Sequence, residues 1–433
     1  MTEQMTDNAK AILLMCGRFS PADEGGTPPL ATREYDEVAT WLVRNKMQPA
    51  DLLREGGAHL LSDPFAPASA GRLQALLERG AVMALAIERW TNKGLWVVCR
   101  SDRAYPQRLK THLKGGAPPI LYGVGNPELL SLGGLAVVGS RHIDADAEHF
   151  AREVGRAAAE CGMQVVSGAA RGVDETAMHG SFSAGGTVVG VMADSLLSAA
   201  VSRKYREGLR GGQLTLISTY NPEAGFNVGN AMGRNKYIYA LADFAVVVSS
   251  DYQAGGTWAG AQEEMKRERG RPIFVRTGAG VPTGNTELLK LKAMPFPPDA
   301  LTGGLREALQ TALGCQAQTA AADEQPPLPA SEAIGDPEAP SETPPAPKAS
   351  ESAMALNEEP RTTTVCDAVR PLILRALDKP RKLEELAKML QVRKLQLEDW
   401  VEALIKDGAI EERVIKRSKK LARREADGEL KLS

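Results

Sequence analysis

The feature that most constrains this chain is a short strand that does not alternate. Leu135-Ala136-Val137-Val138 is apolar on both sides, breaks at Gly139, and runs through a polar turn, Ser140-Arg141, into a helix expected over residues 145–161. A strand with no polar face must be covered on both sides, as in a parallel sheet flanked by helices. Glycine at its carboxyl end lets a ligand approach the backbone, and the helix start behind it offers unpaired N–H groups to an anion. Arg141 adds a planar, permanently charged fork suited to phosphate.

The same unit recurs along the chain. Strands are expected at 95–99, 118–123, 164–167, 187–191, 214–218, 244–249 and 272–276, with helices from Asp174 onward and over 234–241 and 259–269. Strand alternating with helix gives an α/β fold with a mostly parallel sheet. In such sheets ligands bind at the carboxyl ends of the strands. There the sequence places a small-residue loop after each of several strands. These are Gly139-Ser140-Arg141, then Ser167-Gly168-Ala169-Ala170-Arg171-Gly172-Val173-Asp174, then Ala254-Gly255-Gly256-Thr257. A fourth element, Gly233-Arg234-Asn235-Lys236, starts a helix with two cations and an amide. Together they describe a positive, backbone-lined, phosphate-binding face. Any one loop has a plainer reading, a tight turn that needs glycine. The set of four points to a ligand.

Catalytic candidates are thin. His112, His142, His149 and His179 have no nucleophile-and-base context, there is no G-x-S-x-G elbow and no Walker A lysine loop, and no G-x-G-x-x-G follows a sheet strand. Asp174 is expected to cap a helix rather than to act as a base. The reading is a binding surface, with no catalytic residue, metal ligand or cofactor expected. Cys16, Cys99, Cys161, Cys315 and Cys366 are scattered and make no C-x-x-C pair. That argues against a disulfide framework or zinc site and for a cytoplasmic setting. No signal-peptide pattern and no apolar run long enough to span a bilayer is seen, so no membrane role is expected.

The ends have a different character. Helical segments at 9–16, 33–45, 49–54, 70–79 and 83–91 read as an N-terminal helical module over residues 1–93. It is either a DNA- or protein-binding module or a structural cap on the core at 94–315. The net charge of −2 hides an uneven distribution. Residues 316–360 carry nine acidic residues against one lysine and nine prolines, a composition for an extended linker. Residues 361–433 carry eighteen basic and thirteen acidic residues. Helices expected at 365–377, 382–390 and 395–406, followed by a strand at 409–414 and a basic turn at 416–420, make a winged helix. Its third helix presents Gln396, Glu398, Asp399 and Glu402, which argues against deep insertion into a DNA groove. Its basic wing offers phosphate contacts, so DNA contact and protein docking both stay open.

With these motifs in view, the chain resembles the DNA-processing protein A (DprA/Smf) family. The resemblance covers roughly residues 95–297. It is carried by Ser101-Asp102-Arg103-Ala104-Tyr105-Pro106-Gln107-Arg108-Leu109, Pro119-Ile120-Leu121-Tyr122-Gly123, Val137-Val138-Gly139-Ser140-Arg141, the 167–174 loop and Gly233-Arg234-Asn235-Lys236-Tyr237-Ile238. It implies an extended Rossmann-like fold that binds single-stranded DNA without hydrolysing it, dimerises through that fold, and helps load a RecA-type recombinase. Gly139, Ser140 and Arg141 match the family's G-S-R pocket. Arg234 and Lys236 match its R-N-R segment, with lysine replacing the second arginine.

The sequence also departs from the family pattern. Ala177-Met178 stands where Ala-His is usual, with His179 one residue late. Ile217-Ser218-Thr219 replaces Ile-Ser-Glu, Val248-Ser249-Ser250 replaces Val-Glu-Ala, and Ala254-Gly255-Gly256 replaces Ser-Gly-Ser. The chain therefore reads as a divergent branch. If single-stranded DNA is the ligand, Phe226, Tyr237, Tyr239 and Trp258 are candidate base-stacking residues, each of them also a credible core residue. An alternative keeps the same loops but fills them with a mononucleotide, as a sensor or a nucleoside-monophosphate hydrolase. That reading needs a carboxylate beside Gly255-Gly256-Thr257, and Glu263-Glu264 is the first available. A third option makes the winged helix a duplex-DNA binder regulated by the core.

Overall fold

The computed structural model describes residues 5–19, 26–54, 68–302 and 304–323, isolated positions between 373 and 405, and two strands at 410–415 and 418–423. The chain divides into two units, Met1–Ala330 and Ser331–Ser433.

The first unit is built on one nine-stranded sheet. Its strands are β1 (Trp96–Cys99), β2 (Ile120–Gly125), β3 (Leu135–Gly139), β4 (Val165–Ser167), β5 (Val188–Val191), β6 (Leu214–Ser218), β7 (Phe244–Ser249), β8 (Ile273–Val275) and β9 (Met294–Pro295). They lie in the order β1-β2-β6-β5-β4-β3-β7-β8-β9. β2 runs antiparallel to both of its neighbours, and every other pairing is parallel. The architecture is α/β, as expected, with an antiparallel hairpin on one edge of a parallel sheet.

Helices α1 (Asp7–Cys16), α2 (Thr32–Arg44), α3 (Ala70–Leu77) and α4 (Gly80–Thr91) precede the sheet, and α5 (Gln107–Leu113) joins its first two strands. The crossovers carry α6 (Ala145–Glu160), α7 (Val173–Ser183), α8 (Leu196–Ala200), α9 (Arg206–Arg210), α10 (Val228–Gly233), α11 (Asn235–Leu241), α12 (Gly255–Met265) and α13 (Thr283–Leu291); α14 (Leu305–Asp323) follows β9.

Period-two alternation divides the core between the two faces of the sheet. Leu135 and Val137 of β3, Val165 of β4, and Val246 and Val248 of β7 pack with α6 and α7. Ala136, Val138, Val166, Ala245 and Val247 face the other way, onto α5, α11 and α12. Both faces are apolar because both are covered, so no polar alternation appears in the sequence.

The N-terminal helices share the first of these cores. Trp90 of α4 meets Tyr122 of β2 edge-on at 5.1 Å and donates its indole N–H to Glu223 at 3.1 Å. Arg100, just past β1, pairs with Asp36 of α2 at 2.6 Å. The module thus covers the antiparallel edge of the sheet, where β1 would otherwise present an open flank.

Several short elements had no signal. α5, α8, α9 and α10 span five to seven residues, less than two helical turns, so no apolar period develops. α12 starts at Gly255, earlier than the expected 259, which puts the glycine pair inside the first turn. α14 runs to Asp323, into the stretch expected to be linker, because alanine-rich sequence favours helix.

In the second unit, β10 (Ile410–Ile415) pairs antiparallel with β11 (Ser418–Arg423), from Ile410 opposite Arg423 to Ile415 opposite Ser418. This is the hairpin expected after the third C-terminal helix. Ile373, Leu386, Leu397, Val401 and Leu404 are helical and buried. The turn expected over 416–420 is shorter than that, because Ser418, Lys419 and Lys420 already pair within β11; residues 416–417, the remainder of the expected winged helix and most of the linker lie outside the described residues.

Candidate functional site

The chain lays β3, β4, β5 and β6 outward in one direction, then crosses back to place β7 on the other side of β3. At such a switch the loops leaving the two central strands diverge and open a crevice. A cleft of about 390 Å³ lies there. Its walls are Gly139, Ser140, Arg141 and His142 after β3, Ala170 and Asp174 after β4, Asp251 and Ala254 to Thr257 after β7, and parts of the 226–235 segment. A second recess of about 330 Å³ adds Gly168, Ala169, Arg171 and Asp194, and shares Arg141, His142, Ala170, Phe226 and Arg234 with the first. The two form one track.

Its floor is rigid. The Ser140 N–H donates to the Ser249 carbonyl at 2.9 Å, and the Val173 N–H donates to the Ser140 carbonyl at 3.3 Å. Gly172, at φ +86°, presses against the Ser140 carbonyl, where a Cβ would collide with it. Gly168 lies flush against the Arg234 guanidinium, and any side chain there would displace it.

Arg234 is therefore not the phosphate ligand its motif suggests. It is 6% exposed. Its Nη1 donates to the carbonyls of Gly168 and Val191, its Nη2 sits 3.4 Å from Asp174 Oδ2, and its Nε donates to Asn235 Oδ1 at 3.1 Å. With four of its five N–H groups engaged, the guanidinium organises the loops and keeps no two-pronged fork for a ligand.

Asp174 is its counter-charge and not a helix cap. Gly172 holds the N-cap position, and Asp174 sits buried in the first turn of α7. Burial pushes its carboxyl above the ordinary value, while Arg234, the backbone N–H groups of Ala170 and Gly168, and the Ser167 hydroxyl oppose that. Burial likewise pulls Arg234 down, and Asp174 opposes it.

The remaining expected residues divide. Arg141 and Arg171 are exposed and line the track, and among the described residues neither pairs with a carboxylate. Asn235 stands on the wall and donates its amide to the Gly256 carbonyl at 2.8 Å, fixing the start of α12. Ser167 is fully buried and its hydroxyl donates to Val137 at 2.6 Å, so it supports the floor from below. Lys236 is not on the cleft wall. It is half-buried, with its ammonium 5.1 Å over the Tyr237 ring, and burial pulls it below the ordinary lysine value.

One expectation changes place. The helix start behind Gly139 is partly closed, because Asp144 caps α6 by accepting from the Ala147 N–H at 2.7 Å and so engages one of its unpaired donors. The open helix start is that of α12. Ala254 makes no side-chain cap there, and Gly255 at φ +74° leaves open space above the first turn. Thr257 and the backbone of Gly255-Gly256 present that turn to the cleft. The Asp144 signal was legible, an N-cap residue just ahead of a helix.

Of the four candidate stacking aromatics, Tyr237, Tyr239 and Trp258 are buried in the core and Phe226 is 55% exposed. The Arg141 guanidinium lies 5.0 Å over the Phe226 ring. Val228 and Met232 beside it are also exposed at the cleft rim. Sequence reasoning missed them, because α10 is too short for an apolar period to develop.

The two glutamates named for the hydrolase reading are engaged elsewhere, and the carboxylate beside Gly255-Gly256-Thr257 on the cleft wall is Asp251. Glu264 is 1% exposed, 2.8 Å from His112 Nε2 and 3.2 Å from Arg267 Nε, and accepts from the Arg271 N–H at 2.7 Å. Glu263 pairs with Arg267 at 2.7 Å on the exposed side of the helix. Neither lines the cleft. Among the described residues no group of three or more His, Cys, Asp or Glu could hold a metal ion, and no helix is long and apolar enough to cross a membrane.

The sheet and every loop of this track fall within one stretch that has known relatives. Residues 96–297 match the family model of DNA recombination-mediator protein A. A putative DNA processing protein DprA of Mycobacterium tuberculosis is 28% identical over 182 residues, 39% of this chain. The chain spans 45% of the length of that relative. The X-ray structure of DNA processing protein A from Streptococcus pneumoniae shares the fold, with a TM-score of 0.52 at 19% identity over 68% of this chain and 95% of that one. A structure describing the single-stranded DNA binding mode of DNA processing protein A from Helicobacter pylori aligns with a TM-score of 0.39 at 19% identity, over 52% of this chain and 96% of that one.

Proposed function

We propose that this protein is a divergent DprA-like single-stranded DNA-binding protein that protects the bound strand and hands it to a RecA-type recombinase. One observation carries the reading. At the switch point of the sheet, Arg141 and the first turn of α12 line one cleft, Arg171 lines the recess beside it, the exposed Phe226 lines both, and among the described residues neither arginine pairs with a carboxylate. Phosphates fit the cations and backbone N–H groups. An unstacked base fits Phe226, whose face a duplex cannot reach with its stacked bases. The domain match, a mediator of DNA recombination, supports the same class.

Dimerisation through the Rossmann-like core and hand-over to a recombinase follow from the family resemblance. The basic C-terminal domain, read as a winged helix on an acidic tether, would serve as an auxiliary contact for DNA or for a protein. The departures at Met178, Thr219, Ser249-Ser250 and Ala254 mark a divergent branch, whose setting is either DNA uptake and recombination or a mobile-element or defence system.

The stacking role is tested by Phe226→Ala. Base–aromatic stacking is worth about 1–3 kcal/mol per base, so affinity for oligothymidylate is expected to fall at least about fivefold, with Phe226→Tyr close to the unsubstituted protein. Fluorescence anisotropy with a labelled oligonucleotide reads both. An alanine variant that binds as tightly as the parent removes Phe226 from the interface.

A further inference from the structure

We propose that the cavity between α7 and α9 receives a six-membered planar ring of the pyrimidine type. Where that ring is carried by a DNA strand, the proposal rests on the single-stranded DNA reading above. The cavity encloses about 180 Å³. An apolar protein cavity of about 150 Å³ takes up benzene, so the space fits one six-membered ring. Met178, Phe182, Val188 and Leu214 form apolar walls, and Gly208 contributes no side chain. At the rim Lys204 pairs with Glu175 at 2.9 Å, and His179 stands beside them. A ring that offers carbonyl oxygens and an N–H along one edge finds a donor in Lys204 and an acceptor in Glu175. Benzene-like hydrocarbons would leave that pair unused.

Two observations connect the cavity to the DNA track. Ala169 lines both spaces, one residue from Ala170 and two from Arg171. It holds φ +52°, a left-handed conformation that residues with a Cβ rarely adopt. The loop is thus bent so that one side faces the phosphates' path and the other the cavity. In addition, Met178 and His179 of α7, the helix that follows this loop, both line the cavity. A flexible thioether wall adapts to a flat ring more readily than an imidazole would.

The ring could arrive as a base of the bound strand or as a free nucleoside, and the full-length chain distinguishes them. In one arm, oligothymidylates carrying a single abasic site at successive positions are titrated by anisotropy. In the other, thymidine is added in a thermal-shift assay. Val188→Phe fills the cavity from β5, and Lys204→Met removes the rim donor without touching the core. A base on the strand predicts about a tenfold loss at one abasic position, abolished by either variant. A free nucleoside predicts a thymidine-dependent rise in Tm, lost in either variant. If Val188→Phe does not fold, Lys204→Met reads the same outcomes.

A positional loss that both variants leave intact puts the base elsewhere and overturns the proposal. So does the absence of both effects, and if salt-sensitive oligothymidylate binding persists then, the single-stranded DNA reading stands alone. A thymidine effect without any oligonucleotide binding would support the cavity and remove the DNA reading. No oligonucleotide binding and no thymidine effect would remove both.

Discussion

Arg234→Met is expected to destabilise the first unit by about 3–5 kcal/mol, the range for leaving a buried charge without its partner. The guanidinium is the single group that ties the Gly168 carbonyl, the Val191 carbonyl and the Asp174 carboxylate together under the cleft. Methionine keeps much of the stem volume but strands two buried carbonyls and a carboxylate whose side chain is only 7% exposed. For a unit spanning Met1–Ala330 the melting temperature should fall by about 4–7 °C. Adding Asp174→Asn should recover a substantial part of the loss, because removing both charges costs less than orphaning one. Thermal and urea denaturation of the two single variants and the double variant close the cycle. A loss under about 1 kcal/mol in Arg234→Met would mean that the charge is not held as described. The same experiment separates Arg234 from the proposed phosphate ligands, because its effect appears in stability without any DNA present.

The second large effect is on binding. Arg141→Ala combined with Arg171→Ala should leave stability nearly unchanged, since both side chains are exposed and, among the described residues, pair with no carboxylate. For single strands each phosphate contact contributes about 0.7 to the slope of log K against log salt. Removing two should reduce the slope by about 1.4 and weaken binding on the order of 25-fold at 0.1 M salt. Isotherms at several salt concentrations measure both quantities. An unchanged slope would rule these arginines out as phosphate contacts, whatever happens to the affinity at one salt concentration.

The sequence made the sheet legible because its strands are long enough to show two apolar faces. Leu214–Ser218 and Phe244–Ser249 are seen in the structure with the bounds that patterning predicts. It made the location of the site legible as well, since Gly139, Gly168 and Gly255 all end at the same edge. It could not say which cation faces solvent. Arg141, Arg171, Arg234 and Lys236 are equivalent as letters, and only packing separates two exposed forks from one buried clamp and one lysine directed onto Tyr237. The cap on α6 was legible, since Asp144 directly precedes the expected helix, whereas the glycine pair inside the first turn of α12 was not. The short helices near the cleft carried no period, so Val228 and Met232 at the rim emerge only from the fold, which also picks out Phe226 as the exposed one of the four named aromatics.

The central claim is that this cleft holds a single strand by its phosphates and at least one unstacked base. The most direct test is anisotropy of one labelled sequence, single-stranded and as a duplex, with the full-length protein at low and moderate salt. Binding that favours the single strand and weakens steeply with salt is the predicted result. Equal affinity for both forms, or affinity that does not respond to salt, would contradict the account.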